Sequence, residues 1–114
     1  MHVTRGSDAK DYFAPGHHGV QTIRHQGAEA SPVKAFTFGY SHFEPGGSAE
    51  MGATPMEKVY YVVEGEITIV LESGPVVLKA GDSCYIEPNE ARAIENNYDG
   101  VTSMITAMTY PPES

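Results

Sequence analysis

The chain has 114 residues, enough for one domain and too few for two. Its formal charge of −8, with only seven Lys and Arg residues, argues against nucleic acid and anionic membrane surfaces as partners. No apolar run approaches the roughly 20 residues that cross a bilayer, and the N-terminus lacks the apolar stretch of a secretory signal, so we expect a cytoplasmic protein.

Short apolar segments separated by Gly and Pro predict an all-β barrel or sandwich. An N-terminal arm of about residues 1–12 precedes them. In chain order, strands are predicted at 20–25, 33–43, 59–63, 66–71, 76–78, 83–86, 92–95 and 101–110. Pro45-Gly46-Gly47 is expected to end the first long strand, and Glu64-Gly65 to join the next two strands as a hairpin.

The punctuation of residues 46–96 resembles the two sequence motifs of the cupin family. Glu64-Gly65-Glu66 follows an apolar run, Ala80-Gly81-Asp82 comes next, and Ile86-Glu87-Pro88-Asn89 leads to Asn96. Glu87 departs from the pattern, because the family usually has its proline there. The resemblance implies one small double-stranded β-helix (jelly-roll) barrel over residues 1–114, of the RmlC-like, single-domain kind.

In the family, two His and a Glu of the first motif and a His of the second bind a metal. The resemblance places Gly52, Thr54, Lys58 and Arg92 at those four positions. Glycine has no side chain, a threonine hydroxyl is a weak ligand, and Lys and Arg repel a cation. We therefore predict no metal and no cofactor. An unconventional metal site made from His17, His18, His25 and His42 stays open as an alternative.

The same register points Lys58, Tyr60, Arg92 and Thr54 into the barrel. Two fixed cations in a pocket favour an anionic small molecule, since Arg offers a planar fork for a carboxylate or phosphate and Lys a point charge. Lys58, Arg92 and Thr54 are therefore the predicted substrate-binding residues. The alternative is that Glu50, Glu57 or Glu87 neutralises both cations and leaves a plugged, purely structural barrel.

His42 is the candidate general base. Strand parity groups it with Phe36, Phe38 and Tyr40 on one face of a strand, where a core role is also open. Metal-free members of the cupin superfamily, such as its sugar-nucleotide epimerases, pair a His base with a Tyr acid inside the barrel. The resemblance implies that His42 and Tyr60 form a similar pair.

These residues favour a metal-independent lyase or isomerase that acts on a small carboxylate or sugar-derived anion. A non-catalytic metabolite-binding or sensor domain and an atypical metal-dependent cupin enzyme remain alternatives. A homodimer is expected, because one small barrel leaves sheet edges and apolar faces to cover. Cys84, the single cysteine, is expected to be a buried structural thiol.

Overall fold

A computed structural model describes residues 1–112, which form nine β-strands and no helix. The all-β prediction is therefore confirmed; Glu113 and Ser114, the end of the predicted domain, lie outside the described residues. The strands are β1 (Lys10–Asp11), β2 (His17–Gln26), β3 (Phe36–Gly52), β4 (Lys58–Glu64), β5 (Glu66–Leu71), β6 (Gly74–Lys79), β7 (Ser83–Ile86), β8 (Arg92–Glu95) and β9 (Thr102–Thr109).

The strands form two antiparallel layers of a jelly-roll barrel. The first layer, here called the front sheet, has the order β1-β2-β3-β9-β4-β7. The second layer, the back sheet, pairs the end of β3 with β8, then β5 and β6. Because alternate residues of each strand face the interior, both layers contribute side chains to one shared core.

Strand β3 belongs to both sheets, so the prediction that Pro45-Gly46-Gly47 ends it is wrong. Its pairing with β9 stops at Phe43, and its pairing with β8 begins at Ser48. The bend between them depends on glycine: Gly46 has a φ of 81°, and a Cβ on Gly47 would lie 2.5 Å from the Gly19 carbonyl oxygen. The prediction failed because the bend of a strand that passes from one sheet to another uses Pro and Gly residues, as a turn does.

The predicted hairpin between β4 and β5 is also wrong. β4 pairs with β7 and β9, whereas β5 pairs with β6 and β8. The Glu64-Gly65 turn instead carries the chain from the front sheet to the back sheet. Gly65 has a φ of 88°, and a Cβ there would meet Thr102 Oγ1 at 2.5 Å, so only glycine fits this crossing.

The apolar core lies between the two sheets. Its buried members are Phe43, Ala49, Tyr60, Val62, Ile67, Ile69, Leu78, Ile86, Ile94 and Met104. Cys84 packs against this cluster, and burial raises the pKa of its thiol, as expected for a structural cysteine. Residues 1–112 contain no helix that is long and apolar enough to cross a bilayer.

Candidate functional site

The open end of the barrel encloses a cavity of about 580 Å³. Core residues such as Phe43 and Met104 line its floor, and the exposed side chains of Phe13 and Met51 stand at its mouth. A cavity of a few hundred cubic ångströms is the size of ordinary small-molecule sites. The interior of this barrel is therefore open to a ligand.

Four predicted site residues meet inside this cavity. Lys58 and Tyr60 are alternate residues of β4 and point inward together, while Arg92 begins β8 opposite Gly52. The Lys58 ammonium donates a hydrogen bond to Thr54 Oγ1 at 2.6 Å. Arg92 Nε donates to the Tyr60 hydroxyl at 2.8 Å. All four side chains therefore lie inside the barrel, where the resemblance to the family motifs had placed them.

The two cations have no carboxylate partner among residues 1–112. Neither Lys58 nor Arg92 has a carboxylate oxygen within 4.0 Å. Glu50 instead contacts His18, with 2.8 Å between Oε2 and Nε2, and Glu57 accepts a hydrogen bond from the Tyr85 hydroxyl. The plugged, internally neutralised barrel is therefore not the structure observed, and the positive charge faces open space.

Burial changes the acid–base properties of the cluster. It lowers the pKa of Lys58 to about 8, and the nearby Arg92 charge acts in the same direction. It raises the pKa of Tyr60, although the charge and hydrogen bond of Arg92 partly oppose this. Near neutral pH, Lys58 can therefore supply a minor neutral form that accepts a proton, and Tyr60 stays protonated and can donate one.

His42 is not in the cavity, so its predicted place beside Tyr60 is wrong. The inward residues of this part of β3 are Ser41 and Phe43, and His42 lies on the outer face, as its parity requires. There its Nδ1 lies 2.8 Å from Ser103 Oγ, and its ring packs on Tyr40 at 4.6 Å between centroids. The parity grouping was sound, but the sequence did not indicate which face is inside.

The four histidines considered for an unconventional metal site lie in two separate places. His17 lines the cavity and its Nδ1 lies 3.0 Å from the Pro15 carbonyl oxygen, while His18 contacts Glu50. His25 and His42 flank Tyr40 on the outer face. Within the described part of the chain, no group of three His, Cys, Asp or Glu side chains is placed to hold a metal.

The family's metal position also does not fit a metal here. The space holds the Lys58 ammonium and the Arg92 guanidinium, two like charges whose repulsion adds to the effect of burial in lowering the pKa of Lys58. A divalent cation would add to that repulsion and would find only the Thr54 hydroxyl and the Tyr60 phenol nearby.

Several cavity residues were not found by sequence reasoning. Tyr12 and Arg24 stack with 4.0 Å between the guanidinium carbon and the ring centroid, and Glu50 is the one carboxylate among the cavity-lining residues that the structure describes. Tyr12 and Phe13 belong to the arm and its loop, which carry no motif. The parity of β2 could have indicated Arg24, but only the fold brings the arm to the cavity mouth.

Lys58→Met should raise the free energy of unfolding at pH 7, because it removes a buried charge with one hydrogen bond. The pKa of Lys58 is 10.5 in the unfolded chain and about 8 in the folded chain. Between these two pH values the unfolded chain binds more protons than the folded chain, so the free energy of unfolding of the wild type rises with pH. The advantage of the variant should therefore shrink from pH 8 to 10.5. Paired thermal melts check this, and a constant difference would contradict it.

The chain is similar to known proteins in sequence and in fold. The model of the Cupin domain family matches residues 39–108. A Mycobacterium tuberculosis protein named Beta-D-galactosidase Rv1717 is 38% identical over 111 residues, covering 97% of this chain and 96% of its own.

Two solved structures have the same fold. An RmlC-like cupin from Shewanella frigidimarina superposes with a TM-score of 0.79 at 20% identity, covering 99% of this chain and 94% of its own. A predicted oxalate decarboxylase from Thermotoga maritima superposes with a TM-score of 0.77 at 25% identity, covering 96% and 98%. The family model matches more than half of the chain, and the Mycobacterium tuberculosis relative matches it over nearly its whole length. This chain therefore belongs to the cupin family.

Proposed function

We propose that this protein is a metal-independent acid–base enzyme of the lyase or isomerase type, acting on a small anionic sugar derivative. The observation that carries the proposal is the cluster of Lys58, Tyr60, Arg92 and Thr54 in the open cavity, at the positions where cupins commonly hold a metal. A non-catalytic metabolite-binding domain would use the same cavity without turnover.

Arg92 is the proposed anchor for the anion. Its Nε is held by Tyr60, while no Nη hydrogen bond to residues 1–112 is found. A guanidinium whose outer fork is free can bind a carboxylate or phosphate through two parallel hydrogen bonds. Lys58 lies in the same pocket and adds a second positive charge, so the pocket favours a ligand with at least one negative charge.

Lys58 and Tyr60 are the proposed base and acid. Neutral Lys58 would take a proton from a carbon next to a carbonyl, and the electron pair of that C–H bond would move onto the carbonyl oxygen. The Tyr60 hydroxyl, which accepts from Arg92, keeps its own proton to donate to that oxygen. In an isomerisation, Lys58 returns its proton to the former carbonyl carbon, and the hydroxyl on the deprotonated carbon gives its proton to Tyr60 as the new carbonyl forms. In an elimination, the original carbonyl re-forms and returns the proton to Tyr60, while the leaving group departs from the next carbon with a proton from Lys58.

The sugar part of the proposal rests on the Mycobacterium tuberculosis relative, whose name states that it acts on a β-D-galactoside. The cavity is consistent with a sugar ring, since it combines polar groups at depth with the ring of Phe13 at its mouth. Phe13 is 86% exposed, so its face is available to pack on a ligand.

Hydrolysis of a β-galactoside is the second candidate function, favoured by the same relative. Glycosidases usually place two carboxylates across the bond they cleave. Glu50 is the only carboxylate among the described cavity-lining residues, so hydrolysis here would need Lys58 or Tyr60 in place of the second carboxylate. For this reason we rank proton transfer on a sugar acid first.

The test compares D-galacturonate, D-galactose and o-nitrophenyl β-D-galactoside on protein purified without a tag. We expect galacturonate to raise the melting temperature more than galactose, because only galacturonate has a carboxylate for Arg92. Turnover is measured by NMR in D2O as deuterium uptake at C1 of the ketose product or at C2 of the recovered substrate, which lies next to the open-chain aldehyde. Release of nitrophenol without deuterium uptake would favour hydrolysis. Binding without turnover would favour a sensor. Equal stabilisation by galacturonate and galactose would contradict the proposed anion site.

A further inference from the structure

The cavity contains a second guanidinium that the proposed reaction does not use. Arg24 lies on β2 of the front sheet, whereas Arg92 lies on β8 of the back sheet, and both side chains line the same space. Strand register places Arg24 in one cross-strand row with three other residues: Gly39, Thr106 and Tyr60. Side chains of one row point to the same face, and three strand spacings of about 4.8 Å separate Arg24 from Tyr60 by roughly 14 Å along the sheet. Arg24 therefore points into the barrel from a different part of its wall than Tyr60.

Tyr12 fills the gap that glycine leaves in this row. A Cβ on Gly39 would lie 3.6 Å from the Tyr12 hydroxyl oxygen, so the phenol lies against the inner face of β3. The guanidinium carbon of Arg24 lies 4.0 Å from the centre of the Tyr12 ring. Burial is the main cause of the raised pKa of Tyr60, and Tyr12 acts in the same direction, so the two phenols are within electrostatic reach of each other. A ligand bound at Tyr60 can therefore extend to Tyr12 and Arg24.

Arg24 lacks a hydrogen-bonded partner within residues 1–112. Its Nε atom is buried without an acceptor, and the nearest carboxylate oxygen, Glu29 Oε1, is 3.7 Å away, too far for a hydrogen bond. The side chain of Arg24 is only 15% exposed, whereas that of Glu29 is 61% exposed. A buried donor without an acceptor destabilises the folded chain unless another molecule supplies the acceptor. The anionic group of a ligand in the cavity would supply it.

The charge of the cavity is opposite to that of the chain. The protein has seven Lys and Arg residues and a formal charge of −8, yet Arg24, Lys58 and Arg92 all line this one space. Glu50 is the only carboxylate among the described lining residues, and it contacts His18. One anionic group on a ligand is matched by Arg92 and Lys58. The charge of Arg24 is then available for a second anionic group.

We propose that Tyr12 and Arg24 form a second anion-binding subsite, so that the cavity takes a sugar derivative with an anionic group at each end. This inference rests on the proposed function, because it assigns the first anionic group to Arg92. Arg24 binds the carboxylate or phosphate at the far end, and the Tyr12 hydroxyl donates a hydrogen bond to the same end of the ligand. Ligands of this class are aldarates, with two carboxylates, and uronate phosphates.

The test uses two pairs of ligands that differ by one anionic group. Galactarate has the carbon chain of D-galactonate with a second carboxylate, and D-galacturonate 1-phosphate is D-galacturonate with a phosphate. Isothermal titration calorimetry on wild type should show at least one of the two doubly charged ligands binding about tenfold or more tightly than its singly charged partner. Comparison of the two gains shows whether the subsite prefers carboxylate or phosphate. In Arg24→Met, which keeps an unbranched side chain against the Tyr12 ring, the preference should disappear.

Lys10→Met is the matched control. Lys10 pairs with Arg24 between β1 and β2 and has the same charge, but it is exposed and does not line the cavity. It should therefore keep the preference of the wild type. Tyr12→Phe keeps the ring and removes the hydroxyl, so it should lose part of the preference. Thermal melts establish that each variant is folded.

Equal affinities within both ligand pairs in the wild type would overturn the second subsite. A preference kept unchanged in folded Arg24→Met or Tyr12→Phe, or lost in Lys10→Met, would overturn it equally. Failure of the proposed function is distinguishable, because galacturonate would then bind no better than galactose or would not be turned over. If none of the acids bound, both proposals would be wrong.

Discussion

Replacing Arg92 with alanine is expected to weaken the binding of D-galacturonate by about 30-fold or more. Loss of a charge-assisted contact in a buried site typically costs about 2 to 5 kcal/mol, and 1.4 kcal/mol corresponds to tenfold in affinity. Arg92 also holds the Tyr60 hydroxyl at 2.8 Å, so its removal takes away the partner that positions the proposed acid. Isothermal titration calorimetry on wild type and variant measures the effect.

Two controls separate the fork from the charge. Arg92→Lys keeps the positive charge but loses the planar pair of donors, so it should recover only part of the affinity. Arg5→Ala removes one charge from the exposed N-terminal arm and should leave affinity unchanged. If Arg92→Ala bound galacturonate as tightly as wild type, Arg92 would not be the anchor. If Arg5→Ala lost as much affinity as Arg92→Ala, the effect would come from the net charge of the protein and not from a contact with Arg92.

Lys58→Met is expected to lower turnover of the deuterium-exchange reaction by about 100-fold to 10,000-fold, the usual contribution of a general base. His42→Ala should retain turnover, because His42 lies on the outer face of the barrel beside Ser103. Single-turnover measurements with saturating galacturonate distinguish a lost base from weaker binding. Turnover lost in His42→Ala and kept in Lys58→Met would reverse this assignment.

The pH profile gives a second measure of the same residue. Only the neutral form of Lys58 accepts a proton, and its pKa is lowered to about 8 by burial and by Arg92. The rate in wild type should therefore rise with pH up to about 8 and then level off. In Arg92→Lys the neighbouring charge remains, so the rise should stay near the same pH, whereas a rate independent of pH between 6 and 9 would exclude Lys58 as the base.

The sequence alone was sufficient for the fold class and for most of the polar cluster. Gly65 and Asn96 fix the register of the family motifs, and from them Thr54, Lys58, Tyr60 and Arg92 were assigned to one interior. This worked because a strand has a period of two, so knowing the direction of Lys58 also gives the direction of Tyr60. Local glycine chemistry then restricts where the chain can turn.

Tertiary structure alone decided which face of β3 is inside and which strands pair. Parity put His42 with Tyr40, but inside and outside are set by the sheet opposite, which residues 36–43 do not encode by themselves. The Glu64-Gly65 turn looked like a hairpin, because a crossing between sheets uses the same positive-φ glycine as a hairpin. The arm residues Tyr12 and Phe13 reach the cavity only through long-range pairing of β1 with β2, and contacts between distant residues leave no local pattern to read.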